Sequence, residues 1–206
     1  MKRSKSSARW LNEHVNDEYV KQAQKLGYRS RAIFKLEELN ERDRLLRPGM
    51  TVIDLGSAPG SWSQLAAKII GPQGKIVALD ILPMDALADV AFLQGDFREE
   101  AVMEQLIAML EGRQVDLVMS DMAPNISGVK ISDQARAMFL IELALDLAIR
   151  VLRPGGDMVV KVFQGEGFDQ FVRECRRHFA SVVVRKPRAS RSRSSEVYLV
   201  ARNYTV

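Results

Sequence analysis

The chain has 206 residues, 47% apolar and 27% charged, with a formal net charge of +4, the size and composition of one ordinary soluble domain with a buried core. No apolar run approaches the roughly 18 residues that span a bilayer, and the basic start MKRSKSSARW leads into no apolar h-region, so neither a membrane segment nor a secretory leader is expected. The single cysteine, Cys175, excludes an intramolecular disulfide and a thiolate zinc cluster, and the cytoplasm is the expected compartment.

Charge is unevenly spread. Residues 1–35 hold nine Lys/Arg against three acids and residues 173–206 nine against two, while residues 36–172 hold twelve against twenty-one. Two basic ends flanking an acidic middle can be no more than solvated faces. Because both ends also carry aromatic and hydroxyl residues, they suit a polyanion, most simply nucleic acid.

In chain order, residues 1–15 read as a flexible basic arm. Asp17 to Leu46 reads as helical, with Ile33, Leu36 and Leu39 on one face and Arg47-Pro48-Gly49 as the stop; residues 16–47 thus form an N-terminal helical extension to a core over 48–206, all in one domain. Strands are predicted at Thr51–Leu55, Lys75–Ile81, Ala91–Gln94, Val115–Ser120, Asp157–Phe163, Ser181–Arg185 and Glu196–Ala201, with helices near 62–70, 99–111, 133–152 and 167–179. That alternation implies parallel strands joined by right-handed crossovers, a doubly wound α/β sheet. Only Lys186–Ser195 separates the last two strands, too short for a helical crossover, so the last strand should run antiparallel. Within that connection, Arg188–Ser195 reads by composition as a basic, mobile loop.

The first strand, Val52-Ile53-Asp54-Leu55, runs into Gly56-Ser57-Ala58-Pro59-Gly60 and then a helix at Ser61-Trp62. A glycine-rich turn here lets a ligand approach the backbone at the switch point of the sheet. The spacing is not G-x-G-x-x-G, and Pro59 removes a donor that a pyrophosphate would want, so a cofactor without phosphates fits better. Asp80 ends the second strand, suited to accept both hydroxyls of a ribose, and Asp96 follows the third, suited to accept from an adenine amino group. Either could instead cap a turn or helix, but three such strand ends in succession favour a nucleoside. Lys161, in Val159-Val160-Lys161-Val162-Phe163, is a charge in an apolar run, where a lysine needs either a partner or a route to solvent.

Over nearly its whole length the sequence resembles the FtsJ/RrmJ (RlmE) family of ribosomal RNA large-subunit 2′-O-methyltransferases. The resemblance is carried by Arg29–Leu36, Asp54–Gln64, Ser120–Asn125, Val160–Gly167 and Ser192–Tyr198, with Ser61 standing where many members have glycine. It implies a Rossmann-like class I methyltransferase fold, a seven-stranded and mostly parallel sheet with an antiparallel last strand. It further implies S-adenosylmethionine as cofactor, held at Gly60, Trp62, Asp80, Asp96 and Asp121; because loss of the methyl turns a sulfonium into a neutral thioether, no metal is expected. A catalytic Lys-Asp-Lys-Glu tetrad maps onto Lys35, Asp121, Lys161 and Glu196. The implied substrate is a uridine of 23S ribosomal RNA within an assembled or nearly assembled 50S particle; a monomer is expected by default. A ribose hydroxyl is a very weak acid, so a base must take its proton, and a lysine can do so where burial and a neighbouring cation lower its pKa. Lys161 is the expected proton acceptor, Lys35 the neighbouring cation, and Asp121 and Glu196 the groups that hold them.

Two other functions remain open at this point. A base methyltransferase on the same fold would want an aromatic after Pro-Pro where the chain has Asp121-Met122-Ala123-Pro124-Asn125, or a nucleophilic cysteine near the strand ends, whereas Cys175 lies mid-helix. A non-catalytic RNA-binding assembly factor should have lost part of the glycine turn or the tetrad, and both are complete.

Overall fold

The computed structural model describes residues 17–125 and 127–205; the basic arm expected at 1–15 lies outside them. Seven strands, β1 (Thr51–Leu55), β2 (Lys75–Asp80), β3 (Val90–Gln94), β4 (Val115–Ser120), β5 (Leu152–Phe163), β6 (Phe179–Arg185) and β7 (Glu196–Tyr204), form one sheet in the order β3-β2-β1-β4-β5-β7-β6. The first five are parallel, and β7 runs antiparallel between β5 and β6. This is the doubly wound sheet with an antiparallel last strand. Its switch point lies between β1 and β4, where the chain turns from building one half to the other.

The two-residue period of the strands sends alternate side chains to opposite faces. On one face Ile53, Leu55, Val77 and Val160 pack against α4 (Glu100–Ala108), α5 (Lys130–Val151) and α6 (Phe168–His178). On the other, Val52, Ile76, Leu117 and Val159 pack against α1 (Glu18–Lys25), α2 (Ile33–Asp43) and α3 (Ser61–Ile70). Both layers are apolar throughout, as a sheet covered on two faces requires.

The helical stretch expected from Asp17 to Leu46 is two helices. Asp17 caps α1 by accepting from the Tyr19 amide at 3.0 Å, and the helix ends before Gly27, whose φ of +70° leaves the helical region. Residues 27–32 then run as a strap across the start of α3. Strand β5 begins at Leu152, five residues earlier than expected, because Leu152 pairs with Val115 of β4. The connection 186–195 is also better tied than its composition suggests. Ala189 and Ser190 are buried, and the Arg188 amide donates to the Glu38 carboxylate at 2.7 Å.

Candidate active site

The parallel strands end at one rim, and antiparallel β7 begins there, since Phe163 of β5 stands opposite Glu196. The glycine turn after β1 folds back on this rim. The Gly56 and Ser57 amides donate to the Leu79 carbonyl at 2.9 and 3.1 Å, and the Asp121 amide donates to the Leu55 carbonyl at 3.2 Å. A Cβ on Gly56, at φ +75°, would stand 2.7 Å from Met122 Cγ and 2.9 Å from its Cα, so only glycine allows the two loops this approach. Gly60 is tight too: at φ +106° its Cβ would meet Arg29, Met84 and Leu87 at 2.9 Å.

Asp80 braces the turn. One of its oxygens accepts from the Ala58 amide at 2.9 Å and the other from the Leu82 amide at 2.8 Å. Its remaining lone pairs can take hydroxyl donors, since a carboxylate has about four acceptor sites. Asp96 is engaged by Arg98, which donates from Nε at 2.9 and 3.1 Å and from a terminal nitrogen at 2.6 Å. Those hydrogen bonds hold the Asp96 carboxyl below its ordinary range. A ligand at Asp96 must share it with this arginine, a partner the sequence did not suggest. Trp62 is buried, and its indole donates to the Ala32 carbonyl at 2.9 Å. What Trp62 can offer a ligand is its first-turn backbone amide, which has no acceptor inside the helix.

Two buried polar atoms beside the turn have no partner, Asp54 Oδ1 and Ser57 Oγ. Asp54 is fully buried, with Ser63 Oγ donating to Oδ2 at 2.6 Å. Burial, helped by the nearby Asp121 and Asp80 charges, pushes its carboxyl up to about 7 against the Ser63 hydrogen bond. The sequence carries the same signal here as at Lys161, a charge in a β-branched run.

The strap at 27–32 makes contacts that its sequence does not announce. Arg29 donates to the carbonyls of Pro59 (3.0 Å), Asp85 (2.7 Å) and Ala86 (2.8 Å). Gln64 bonds the Arg29 amide and the Gly27 carbonyl at 3.2 and 3.1 Å, and the Ser30 and Ser61 hydroxyls share a bond of 2.8 Å. The strap leads directly into α2 and so fixes Lys35 relative to the glycine turn.

All four residues of the expected tetrad meet at this rim, from α2, the residue after β4, β5 and β7. Lys35 Nζ lies 2.7 Å from Glu196 Oε1. Lys161 Nζ lies 3.1 Å from Asp121 Oδ1 and donates to the Asp121 carbonyl at 2.5 Å. Lys161, 8% exposed, is therefore buried with a counter-charge and does not snorkel. Tyr198, which stands opposite Lys161 on β7, links the two pairs. Its hydroxyl donates to Asp121 Oδ1 at 2.6 Å, and its ring lies 5.7 Å from Lys35 Nζ and 5.7 Å from the Trp62 ring. Burial raises the Asp121 carboxyl, but the Lys161 and Lys35 charges and the Tyr198 and Lys161 hydrogen bonds outweigh it, so its pKa lies below the ordinary value. Burial, then the Asp121 and Glu196 charges and hydrogen bonds, hold the Tyr198 phenol well above its usual value. Ser190 Oγ donates to Glu196 Oε1 at 2.7 Å, which anchors the 186–195 loop at the site.

Several cations of the basic ends are consumed internally. Arg31 pairs with Asp17 and donates to the Ala189 carbonyl; Arg185 grips Asp43 at 2.7 and 2.9 Å. Lys21, Lys25 and Arg188 remain exposed toward solvent. Cys175 is fully buried on α6, with its thiol pushed up to about 12 by burial and the Glu174 charge, unsuited to nucleophilic attack. Among the described residues no group of three or more His, Cys, Asp or Glu is placed to hold a metal ion, and no helix is long and apolar enough to cross a membrane.

Comparison with known proteins gives this geometry a context. The family model of FtsJ-like methyltransferases matches residues 28–204. A protein of Stutzerimonas stutzeri named ribosomal RNA large subunit methyltransferase E is 62% identical over 204 residues, 99% of each chain. One of the same name from Marinobacter nauticus is 60% identical over 206 residues, the whole of both chains. A Plasmodium falciparum crystal structure described as a ribosomal RNA methyltransferase superposes with a TM-score of 0.77 at 28% identity, over 86% of this chain and 98% of that one.

Proposed function

The chain belongs to the FtsJ-like methyltransferase family, and from that premise we propose that it methylates the 2′-hydroxyl of a uridine ribose in the 23S RNA of the large ribosomal subunit, with S-adenosylmethionine as donor. The names of the relatives support the RNA class. The observation that carries the 2′-hydroxyl is the pairing of a buried and a partly buried lysine with two carboxylates beside the glycine turn, Lys161 with Asp121 and Lys35 with Glu196.

The turn suits S-adenosylmethionine. It offers the first-turn amide of Trp62, carboxylates Asp80, Asp96 and Asp121 for hydroxyl and amino donors, and the unpartnered Asp54 Oδ1 and Ser57 Oγ, with Gly56 and Gly60 letting the protein's own loops close around the turn. When bound, that cofactor supplies a methyl made electrophilic by its sulfonium. The chain's own work is on the acceptor. As the neutral amine, Lys161 Nζ would take the proton as the O–H bond breaks and the oxygen takes the methyl from the donor sulfur, which would leave as a neutral thioether. Asp121 Oδ1 and its carbonyl then hold the resulting ammonium. Lys35, fixed by Glu196, supplies a second positive charge for the alkoxide-like oxygen or an adjacent phosphate. The substrate in this reading is an assembled or nearly assembled 50S particle, the working unit a monomer and its compartment the cytoplasm.

The test is to map methylated nucleotides in large-subunit RNA from cells with and without the protein, then repeat the reaction on RNA with a single 2′-deoxyuridine at the mapped position. A 2′-O-methyl mark that vanishes in both cases is expected. A methyl group found on a base, or transfer that survives the 2′-deoxy substitution, would overturn the reading.

A further inference from the structure

A second charged feature lies at the opposite end of the sheet. The end of α2, the turn into β1 and the end of β7 enclose a recess of about 660 Å³ lined by Arg42, Arg44, Arg47, Arg202 and Asp43. Strand β7 runs from the catalytic rim at Glu196 to this recess at Arg202, six residues and about 20 Å at roughly 3.3 Å per residue.

The negative charge at the recess is already neutralised. Asp43 gives both carboxylate oxygens to Arg185, and its carbonyl accepts from Arg202, whose Nε also lies 3.2 Å from Asp157. Arg42, Arg44 and Arg47 are exposed, and among the described residues none of their side chains has an ion pair or hydrogen bond. Three guanidinium groups without counter-charge therefore border one concavity. The negative end of a helix dipole favours cations in the last turn of α2, which accounts for Arg42 but not for Arg47, outside the helix. Arg44 is the C-cap and sits in the left-handed region at φ 49°, a position where glycine is the ordinary residue.

We propose that this recess binds the phosphate backbone of a second segment of the substrate RNA, separate from the segment at the tetrad. Guanidinium forks match phosphate oxygens in charge and geometry. Between Lys35 and Arg42 the same helix carries Glu37, Glu38 and Glu41, which repel a polyanion laid continuously from rim to recess. A folded RNA that presents two separate backbones to opposite ends of the sheet meets both cationic regions and avoids the acidic belt. This proposal rests on the reading of the protein as an RNA methyltransferase, but its deciding measurement is RNA binding.

The experiment uses the full chain and its R42A/R44A/R47A variant, neither of which alters the tetrad. Binding to large-subunit RNA is measured as a function of salt, alongside a short hairpin that carries only the methylated loop. For the large RNA the log–log salt slope should flatten by about 2 to 2.7, at roughly 0.7–0.9 per contact, and KM for methyl transfer should rise with kcat and cofactor affinity unchanged. Hairpin binding should be unaffected. Equal weakening for both RNAs, or an unchanged slope for the large one, would overturn the proposal. Arg44→Gly guards against misfolding, since glycine suits the cap: its melting temperature should hold or rise while the slope still falls by about 0.7–0.9. Inorganic phosphate distinguishes a free anion, because protection of the wild type by phosphate with RNA binding unaltered in the triple variant would assign the recess to small anions instead. If the wild type binds RNA through the recess yet methylates a base, the recess stands and the 2′-hydroxyl reading falls.

Discussion

Asp54 and Asp121 stand at the ends of adjacent strands on either side of the switch point, and their carboxyls are shifted in opposite directions. Burial raises both. Asp121 has Lys161 at 3.1 Å, the Lys35 charge and the Tyr198 hydroxyl, whereas Asp54 has one hydroxyl, from Ser63. Counter-charge, not depth, decides the sign. The acceptor half of the rim is thus assembled from compensated ion pairs, which fix lysine positions before any RNA arrives. The half proposed to hold the donor keeps a buried carboxyl without counter-charge and, in Asp54 Oδ1 and Ser57 Oγ, two oxygens beside a backbone turn that the protein itself leaves unpartnered.

The strongest way to test this division is to break the acceptor half alone. Lys161→Ala should lower kcat by about 10²–10⁴-fold, the usual worth of a general base, while the dissociation constant for S-adenosylmethionine stays within about twofold. Single-turnover rates and calorimetry on the same preparation separate the two quantities. If the variant kept a tenth of the rate, Lys161 would not be the base. If cofactor affinity fell in step with the rate, the two halves would not be independent.

The donor half can be probed by pH. Asp54 has its folded pKa raised from 3.8 to about 7, so its contribution to stability is fully present below about pH 4 and is lost as pH rises through about 7. Asn resembles the protonated acid and carries no such dependence. Between pH 5 and 8 the unfolding free energy of the wild type should therefore fall relative to Asp54→Asn by roughly 3 kcal/mol, at about 1.4 per unit. Urea titrations of both proteins without ligand would read this difference. Parallel stability curves would show that Asp54 ionises as an ordinary surface acid.

Much of this was legible in the sequence. The sheet could be read because strand runs, helix lengths and the short 186–195 connection each report a local preference, and these preferences agree with the topology. The tetrad was legible through the resemblance and, for Lys161, through the oddity of a lysine among valines. What escaped were contacts between segments far apart in the chain. Arg29 looks like any solvated arginine until the carbonyls of Pro59, Asp85 and Ala86 converge on it. Arg98 is two residues from Asp96, but only the folded turn makes it a competitor for that carboxylate. Gly27 marks the break between the two helices, but the apolar face at Ile33, Leu36 and Leu39 lies wholly after it and does not locate where the first helix stops.

A smaller effect is expected at Asp80, the donor-side residue that braces the glycine turn. Asp80→Ala removes the acceptors for the Ala58 and Leu82 amides and any for the cofactor. Binding of S-adenosylmethionine should weaken by roughly 1.5–3 kcal/mol, the range for hydrogen bonds to a charged group, with the rate at saturating cofactor nearly kept. Affinity equal to wild type in a titration would remove Asp80 from the pocket and leave it a turn brace only.

The smallest effect concerns Tyr198, where the two halves touch. Its ring packs on Trp62, the start of the donor-side helix, while its hydroxyl donates to Asp121 on the acceptor side. Because the phenol is held well above its usual pKa, it remains a donor throughout the neutral range. Tyr198→Phe keeps the ring and deletes only that donor, and Asp121 Oδ1 still has Lys161. The loss should be about 1 kcal/mol, the net value of one hydrogen bond, or roughly fivefold in kcat/KM. It should lie in kcat, because the deleted bond orients Asp121 and through it Lys161. The sharper measurement is a double-mutant cycle with Lys161→Arg. If Tyr198 acts by aiming the Lys161–Asp121 pair, the two losses should not add, since an arginine in place of the base leaves nothing to aim. Additive losses would mean that the hydroxyl acts elsewhere, through Glu196 and Lys35, and would move Tyr198 from one ion pair to the other.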